Sequence, residues 1–357
     1  MKLFSPLLRA LFAICFLRFG LTRTEARLWR TTTGQSFEAE FIRVEGAKGI
    51  FLVKEKEYPY PLNYLSANDR LFIGKAVNQA VATATPEESA ALTTPGPSSS
   101  PNDSALSLAG QPVKRGRETE IEIPMTDPAQ EQEAAKAYGK PSDKARLLIA
   151  LPSDFDPSSK ACPLLIVSAT ADGAASSIGS AHQFVRCALE KGFGVLAVDG
   201  QFGKPPGSDS VDFRWALVSA ALDAINRQWP QAKAWPIATG GVSGGAGYAS
   251  YEAIKLAEAH AHLIGIFLAV SSWNPTRFPE ELKKVAFSEL RDLPIFLSAG
   301  ENDEISSKAL TDKSHGAMVA QEFKNVRFEH FVGGHQLNHP HLEAALDWFL
   351  KGAASPR

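Results

Sequence analysis

Seven continuous apolar runs after Glu118 constrain the fold of the 357-residue chain more than any other feature. Runs such as "CPLLIVSA", "FGVLAVDG", "IGIFLAVS" and "LPIFLSAG" are typical of strands that are buried on both faces of a parallel sheet. Stretches with helical spacing, such as "FRWALVSAALDAINRQW", lie between them. Alternating β and α units predict an α/β domain with a doubly wound, mostly parallel sheet over residues 118–353, which is long enough for a large core.

The chain before this domain divides into three segments of different composition. Residues 1–26 combine an early Lys and Arg with a short apolar run and end in small residues, which is typical of a secretory signal peptide. We therefore expect a secreted or periplasmic protein, with an organelle transit peptide or an unstructured start as the alternatives. The apolar run is too short to span a bilayer, so no transmembrane segment is expected. Residues 76–117 are rich in Ala, Thr, Pro and Ser and predict a disordered linker.

The segment 27–75 has the pattern of a small all-β domain. Phe37, Ala39 and Phe41 alternate with glutamates, and the phase then slips by one residue, as a β-bulge would cause. Together with Trp29, the patterns G-x-x-F-x-A-x-F and L-S-x-x-D make the segment similar to the Sla-homology domain. That resemblance implies an SH3-like barrel that is a binding or spacing module and performs no chemistry; if it binds, we expect a protein or polymer ligand.

Charge and cysteine content exclude several functions. The formal net charge of −2 gives no basic footprint for a nucleic acid partner. No C-x-x-C or H-E-x-x-H motif is present, so we expect neither a metal nor a cofactor. Cys162 begins a predicted strand, and Cys187 lies late in the helix that returns antiparallel to it. A disulfide between them and two buried free thiols are both open at this point.

One short glycine-rich stretch carries the chemistry. Residues 241–245 read G-V-S-G-G, a form of G-x-S-x-G, which by itself is a weak signal. Its context is stronger, because Ser243 follows the strand "WPIATGG" and precedes the helical stretch "GYASYEAIKLAEAHA". A strand, a tight turn and a helix in this order predict a nucleophile elbow, with the N–H of Gly244 beside the attacked carbonyl group.

A serine nucleophile requires a base, and the base requires an orienting acid. Asp303 follows the strand "LPIFLSAG", and His335 follows the strand "VRFEHFVGG". Both positions lie at the carboxyl edge of the predicted sheet, where open α/β sheets place their sites. Glu301 is an alternative to Asp303, and His339 and His341 are alternatives to His335.

Three motifs and the opening strands resemble one known superfamily. "LLIALPSDFDPSSKACPLLIVSA", G-V-S-G-G, G-E-N-D and G-G-H occur in the order of the α/β-hydrolase superfamily and are most similar to its esterase and prolyl-oligopeptidase-like branch. The resemblance covers residues 145–352. It implies a serine hydrolase of the carboxylesterase type, in which Ser243, His335 and Asp303 form the triad. A serine peptidase and a non-catalytic binding protein of the same fold are the alternatives.

The chain departs from that branch at one place. The first central strand usually ends in His-Gly, whereas residues 168–173 here read S-A-T-A-D-G. An oxyanion hole requires a backbone N–H, so we expect Thr170 or Ala171 to supply it beside Gly244. The 21 residues 272–292 leave little room for a lid, which favours small soluble or polymer-attached esters as substrates. A chain that begins near Glu118 is expected to retain the chemistry.

Overall fold

The computed structural model of the chain describes residues 27–30, 36–45, 48–53, 56–62, 65, 69, 72–73, 106–158, 162–171, 176–206 and 209–353. The predicted signal peptide and most of the predicted linker lie outside these residues. Two compact units divide the chain, 1–103 and 104–357, and each is described by itself. Within the described ranges, no helix combines the length and the apolar character that a membrane-spanning helix needs.

The first unit contains a four-stranded antiparallel sheet in the order β1-β2-β3-β4. The strands are Arg27–Arg30, Ser36–Glu45, Lys48–Val53 and Lys56–Pro61. The register of β2 against β3 shifts between Phe41 and Arg43, which confirms the bulge that the sequence predicts. A small all-β region is therefore present, and its closure into an SH3-like barrel stays a prediction.

The residues that carry the resemblance in this unit form its core. Trp29, Ala39, Phe41 and Leu65 are buried together, and the Trp29 indole N–H donates to the carbonyl oxygen of Ala39 at 2.8 Å. Asp69, the last residue of L-S-x-x-D, is buried and accepts from the guanidinium of Arg27 at 2.7 Å. The motif residues therefore contribute packing and one ion pair to this unit.

The second unit begins earlier than the sequence predicts. A hairpin of β5 (Leu106–Leu108) and β6 (Gln111–Val113) lies inside the stretch that is predicted as a linker through residue 117. Leu106, Leu108 and Val113 are buried in the core of the second unit. This hairpin is therefore part of the domain, because its three apolar side chains are buried in the core of that domain. Composition alone does not indicate this burial.

An eight-stranded sheet organises the second unit and confirms the predicted fold class. The strand order is β14-β13-β12-β11-β9-β10-β8-β7. Strands β9 to β14 run parallel to one another, whereas β8 pairs antiparallel with both β10 and β7. In chain order the strands are Glu118–Pro124, Lys144–Ala150, Leu164–Ser168, Gly194–Gly200, Ile237–Val242, Leu263–Ala269, Ile295–Gly300 and Val326–Phe331.

Helices connect these strands and cover the sheet, with buried clusters on its two faces. In chain order, α1 to α8 are Pro128–Tyr138, Ser177–Glu190, Val211–Gln228, Gly245–Glu258, Pro279–Leu282, Phe287–Arg291, Lys308–Ala320 and His339–Ala353. The connection from β12 to β13 holds only a short 3-10 helix, α5 and α6. Strands such as β10 and β12 are buried at every position, because both of their faces lie under helices.

The two cysteines of the second unit do not form the disulfide that the sequence leaves open. Cys162 and Cys187 are both free and buried. The Cys162 thiol faces the carbonyl oxygen of Pro163, and the Cys187 thiol faces that of His339. Burial raises the pKa of both thiols to about 12, so they are poor nucleophiles at neutral pH.

Candidate active site

Ser243 occupies a strained turn between β11 and α4. Its φ is 58°, in the left-handed region that residues other than glycine rarely adopt. Its N–H donates to the carbonyl oxygen of Ala269 on the neighbouring strand at 2.9 Å, which fixes the strained residue to the sheet. Such strain persists only where the surroundings hold it, and it is concentrated at functional sites.

The glycines on either side of Ser243 are required by close contacts between backbone segments. A Cβ on Gly241 would lie 2.3 Å from the backbone of Gly245. A Cβ on Gly245 would lie 2.2 Å from the carbonyl oxygen of Ser168. The glycines of the G-x-S-x-G pattern are thus explained by the lack of room for a side chain, because the turn packs against its own backbone and against the end of β9.

The loop after β9, which is predicted to complete the oxyanion hole, lies against this turn. A Cβ on Gly244 would lie 2.4 Å from the hydroxyl oxygen of Thr170, so the two predicted oxyanion residues are neighbours. Ala171 follows, and its carbonyl oxygen accepts from the ammonium group of Lys204 at 2.6 Å. The structure therefore brings Gly244 and Thr170 together and attaches the next residue of the loop to a cationic side chain.

Asp303 and His335 form a hydrogen-bonded pair at the same edge of the sheet. Nδ1 of His335 lies 2.8 Å from Oδ2 and 3.0 Å from Oδ1 of Asp303. A carboxylate can only accept, so Nδ1 carries the proton and Nε2 keeps its lone pair. The Asp303 side chain has no exposed surface, whereas 19% of the His335 side chain is exposed.

Backbone groups orient this pair. Oδ1 of Asp303 accepts the N–H groups of Ile305 and Ser306, each at 2.8 Å, so the buried carboxylate is well satisfied. The loops after β13 and β14 approach so closely that a Cβ on Gly300 would lie 2.5 Å from the carbonyl oxygen of Gly334. These contacts hold the loop after β14, which carries His335, against the loop after β13, which carries Asp303.

The alternative residues are occupied elsewhere. Glu301 is exposed, and its backbone N–H pairs with Phe331. His339 lies 3.0 Å from the carbonyl oxygen of Gln183 through Nε2. Nδ1 of His341 lies 2.9 Å from the hydroxyl of Ser298. Burial lowers the pKa of His341, and its neighbours are part of the core rather than of an open site.

Sequence reasoning missed a buried polar network behind the loop that follows β9. Arg214 on α3 donates to both carboxylate oxygens of Asp209 at 2.7 and 2.6 Å and to the Ser177 hydroxyl at 2.7 Å. The N–H of Ala169, the first residue after β9, also donates to that hydroxyl at 3.3 Å. Asp199 accepts the N–H of Ser177 at 2.7 Å. Asp209 and Arg214 lie around the start of α3, where charged residues are common, so no sequence signal separated these two from surface residues.

A second missed residue is Glu252 on α4. Its side chain is fully buried, and Oε1 accepts from the hydroxyl of Ser168 at 2.6 Å. Burial raises the pKa of this carboxyl to about 7, while the Ser168 hydroxyl and the charge of Arg214 lower it by less. The sequence held one sign of this residue. Glu252 is the only charged residue among the first ten residues of α4, and the others are apolar or small apart from two tyrosines.

The arrangement suits nucleophilic chemistry. Among the described residues, no group of three or more His, Cys, Asp or Glu side chains could hold a metal ion. The carboxyl edge of one sheet holds the strained Ser243, the His335–Asp303 pair, and Thr170 beside Gly244. These are the groups that acyl transfer uses.

Among comparisons with known proteins, only the one with solved structures found similar chains. No protein-family model matches the chain, and no curated protein sequence matches it. A serine hydrolase homologue from Coxiella burnetii is 14% identical, covers 68% of this chain and 99% of its own, and has a TM-score of 0.44. A Bacillus cereus carboxylesterase is 21% identical, with coverages of 58% and 94% and a TM-score of 0.41. Zea mays acyl-protein thioesterase 2 is 14% identical, with coverages of 58% and 99% and a TM-score of 0.41. The function proposed below rests on residues of this chain alone.

Proposed function

We propose that the second unit is a serine hydrolase that cleaves carboxylic esters through an acyl-enzyme. The main support is the His335–Asp303 pair, which leaves Nε2 of the ring as the acceptor, on the same sheet edge as the strained Ser243. A histidine held in that tautomer is what a serine nucleophile needs as its general base.

In the first half of the reaction, Oγ of Ser243 attacks the ester carbonyl carbon, and Nε2 of His335 takes the hydroxyl proton. The carbonyl oxygen becomes an oxyanion, which the N–H of Gly244 and that of Thr170 or Ala171 stabilise. The carbon–oxygen bond to the alcohol then breaks, and His335 returns its proton to the leaving oxygen. Asp303 stabilises the imidazolium while it exists.

In the second half, water replaces the alcohol. His335 takes a proton from the water as it attacks the acyl carbon, and the same N–H groups stabilise the second oxyanion. The bond to Oγ of Ser243 breaks, Oγ recovers its proton from His335, and the carboxylic acid leaves. No metal or cofactor takes part in these steps.

A fluorophosphonate probe tests the proposal. We expect one labelled residue, Ser243, and no labelling of the variant Ser243→Ala with an unchanged melting temperature. Ser180→Ala, a change of the same size on α2, is the control and is expected to label like the wild type. Labelling of Ser243→Ala at the wild-type rate would contradict the assignment of the nucleophile. Turnover of small esters against small peptides then separates an esterase from a peptidase.

A further inference from the structure

Glu252 is a buried acid with one hydrogen-bond partner and no role in the steps above. It lies on α4, nine residues after Ser243, and its side chain has no exposed surface. Oε1 accepts from the Ser168 hydroxyl at 2.6 Å, whereas Oε2 is buried and has no hydrogen-bond partner among the described residues. Burial of a carboxyl group with one hydrogen bond destabilises the fold. The position of that hydrogen bond therefore indicates what the group contributes.

That hydrogen bond reaches the start of the loop after β9, residues 169–171, which we call the oxyanion loop. Ser168 is the last residue of β9 and directly precedes Ala169 and Thr170. Its carbonyl oxygen touches the elbow, where a Cβ on Gly245 would lie 2.2 Å away. Ser168 is therefore hydrogen-bonded to α4 through its hydroxyl and Glu252, and its carbonyl oxygen packs closely against Gly245.

The network around Arg214 holds the loop from another side. Ala169 donates its N–H to the Ser177 hydroxyl, which Arg214 also contacts. The Arg214 side chain is only 5% exposed and is fixed by Asp209, so this anchor is rigid. Two buried polar anchors therefore flank the residue that precedes Thr170, the neighbour of Gly244.

We propose that Glu252 is a positioning residue that acts through Ser168 to hold the oxyanion loop against the nucleophile elbow. This proposal rests on the proposed function. Glu252 touches neither the ester nor the reacting atoms. Its contribution is confined to the geometry of the loop N–H, so its loss lowers kcat and leaves substrate binding almost unchanged.

Three variants and one control test this role by steady-state ester hydrolysis. Glu252→Gln keeps an acceptor oxygen for Ser168, whereas Glu252→Met keeps the volume and removes the acceptor. Ser168→Ala removes the donor. Ser250→Ala is the matched control, because Ser250 is a fully buried serine on the same helix whose hydroxyl donates to Ala246 within that helix.

We expect Glu252→Met and Ser168→Ala each to lower kcat about 10-fold or more, since displacement of a catalytic group by about 1 Å can cost about 100-fold. KM is expected to stay within about 3-fold in both. Glu252→Gln is expected to restore kcat to within about 3-fold of the wild type, and Ser250→Ala to leave it unchanged. The double variant Glu252→Met with Ser168→Ala is expected to be no slower than the slower single variant, because both changes break one hydrogen bond.

Several results would overturn the proposal. If the wild type is active and Ser168→Ala keeps its kcat, or the losses in the double variant multiply, Glu252 does not act through Ser168. The Ser168 variant keeps the test valid even where Glu252→Met does not fold. A matched rise in KM would assign the network to substrate binding instead. If the wild type neither hydrolyses esters nor labels at Ser243, the proposed function fails first and takes this inference with it.

Discussion

Adding one methyl group at Gly245 measures how closely the turn at Ser243 and the loop after β9 are packed. The Cβ of Gly245→Ala would lie 2.2 Å from the carbonyl oxygen of Ser168 and 3.1 Å from the carbonyl carbon of Ala169. A relaxed carbon–oxygen contact is about 3.3 Å or longer, so the two backbones must separate by about 1 Å. Neither contact atom belongs to a flexible side chain, so no rotamer change relieves the overlap.

The expected cost follows from this geometry. Overpacking in a core destabilises by about 1–3 kcal/mol, and a backbone overlap belongs at the upper end of that range. Alanine is about 1 kcal/mol better than glycine in a helix, and Gly245 begins α4, so the net loss is about 2 kcal/mol. For a unit of this size that loss lowers the melting temperature by about 4–8 °C.

The same displacement acts on the chemistry. Moving Ser168 and Ala169 away from the elbow also moves Thr170 away from Gly244, and we expect kcat for a small ester to fall about 100-fold. Thermal unfolding and ester kinetics of the purified variant give both quantities.

Gly316→Ala is the matched control. Gly316 lies inside α7 with no heavy atom within 4 Å of an added Cβ. That change is expected to stabilise the protein by about 0.5–1 kcal/mol and to leave the kinetics unchanged. A melting temperature of Gly245→Ala within about 1 °C of the wild type, with unchanged kinetics, would refute the close contact. A matching loss in Gly316→Ala would show that the contact is not its cause.

Two further predictions concern stability. The pKa of Glu252 is raised by burial from 4.5 to about 7, so the folded protein binds this proton more tightly than the unfolded chain does. The free energy of unfolding of the wild type should therefore fall by up to about 3 kcal/mol relative to Glu252→Gln as the pH rises from about 4.5 to about 7; urea unfolding at several pH values measures this, and a constant difference would contradict it. A chain that begins at Ser104 should melt like the second unit of the full chain, whereas one that begins at Glu118 should melt several degrees lower, because it lacks the buried Leu106, Leu108 and Val113. Equal melting temperatures would show that the hairpin contributes nothing.

Most of the sheet could be predicted from local sequence patterns. Strands such as β10 and β12 read as continuous apolar runs because helices cover both faces, and the bulge in β2 appears as a slip in the alternation of Phe37, Ala39 and Phe41. The start of the second unit could not be predicted in this way. Residues 106–113 form two strands of only three residues each, too short to show a pattern, and only a core assembled from distant strands gives their apolar side chains a place to be buried.

The candidate site also has a part that the sequence determined and a part that only the tertiary structure decided. The sequence by itself determined where a strained serine could lie, because the close approach of Gly241 to Gly245 is local, and it determined that Asp303 and His335 follow two strands of one sheet. Only the tertiary structure decided that Asp303 rather than Glu301 pairs with His335 and that two cysteines stay free. It alone joined Ser168 to Glu252 across 84 residues, because a single hydrogen bond between buried groups leaves no periodic trace in the chain.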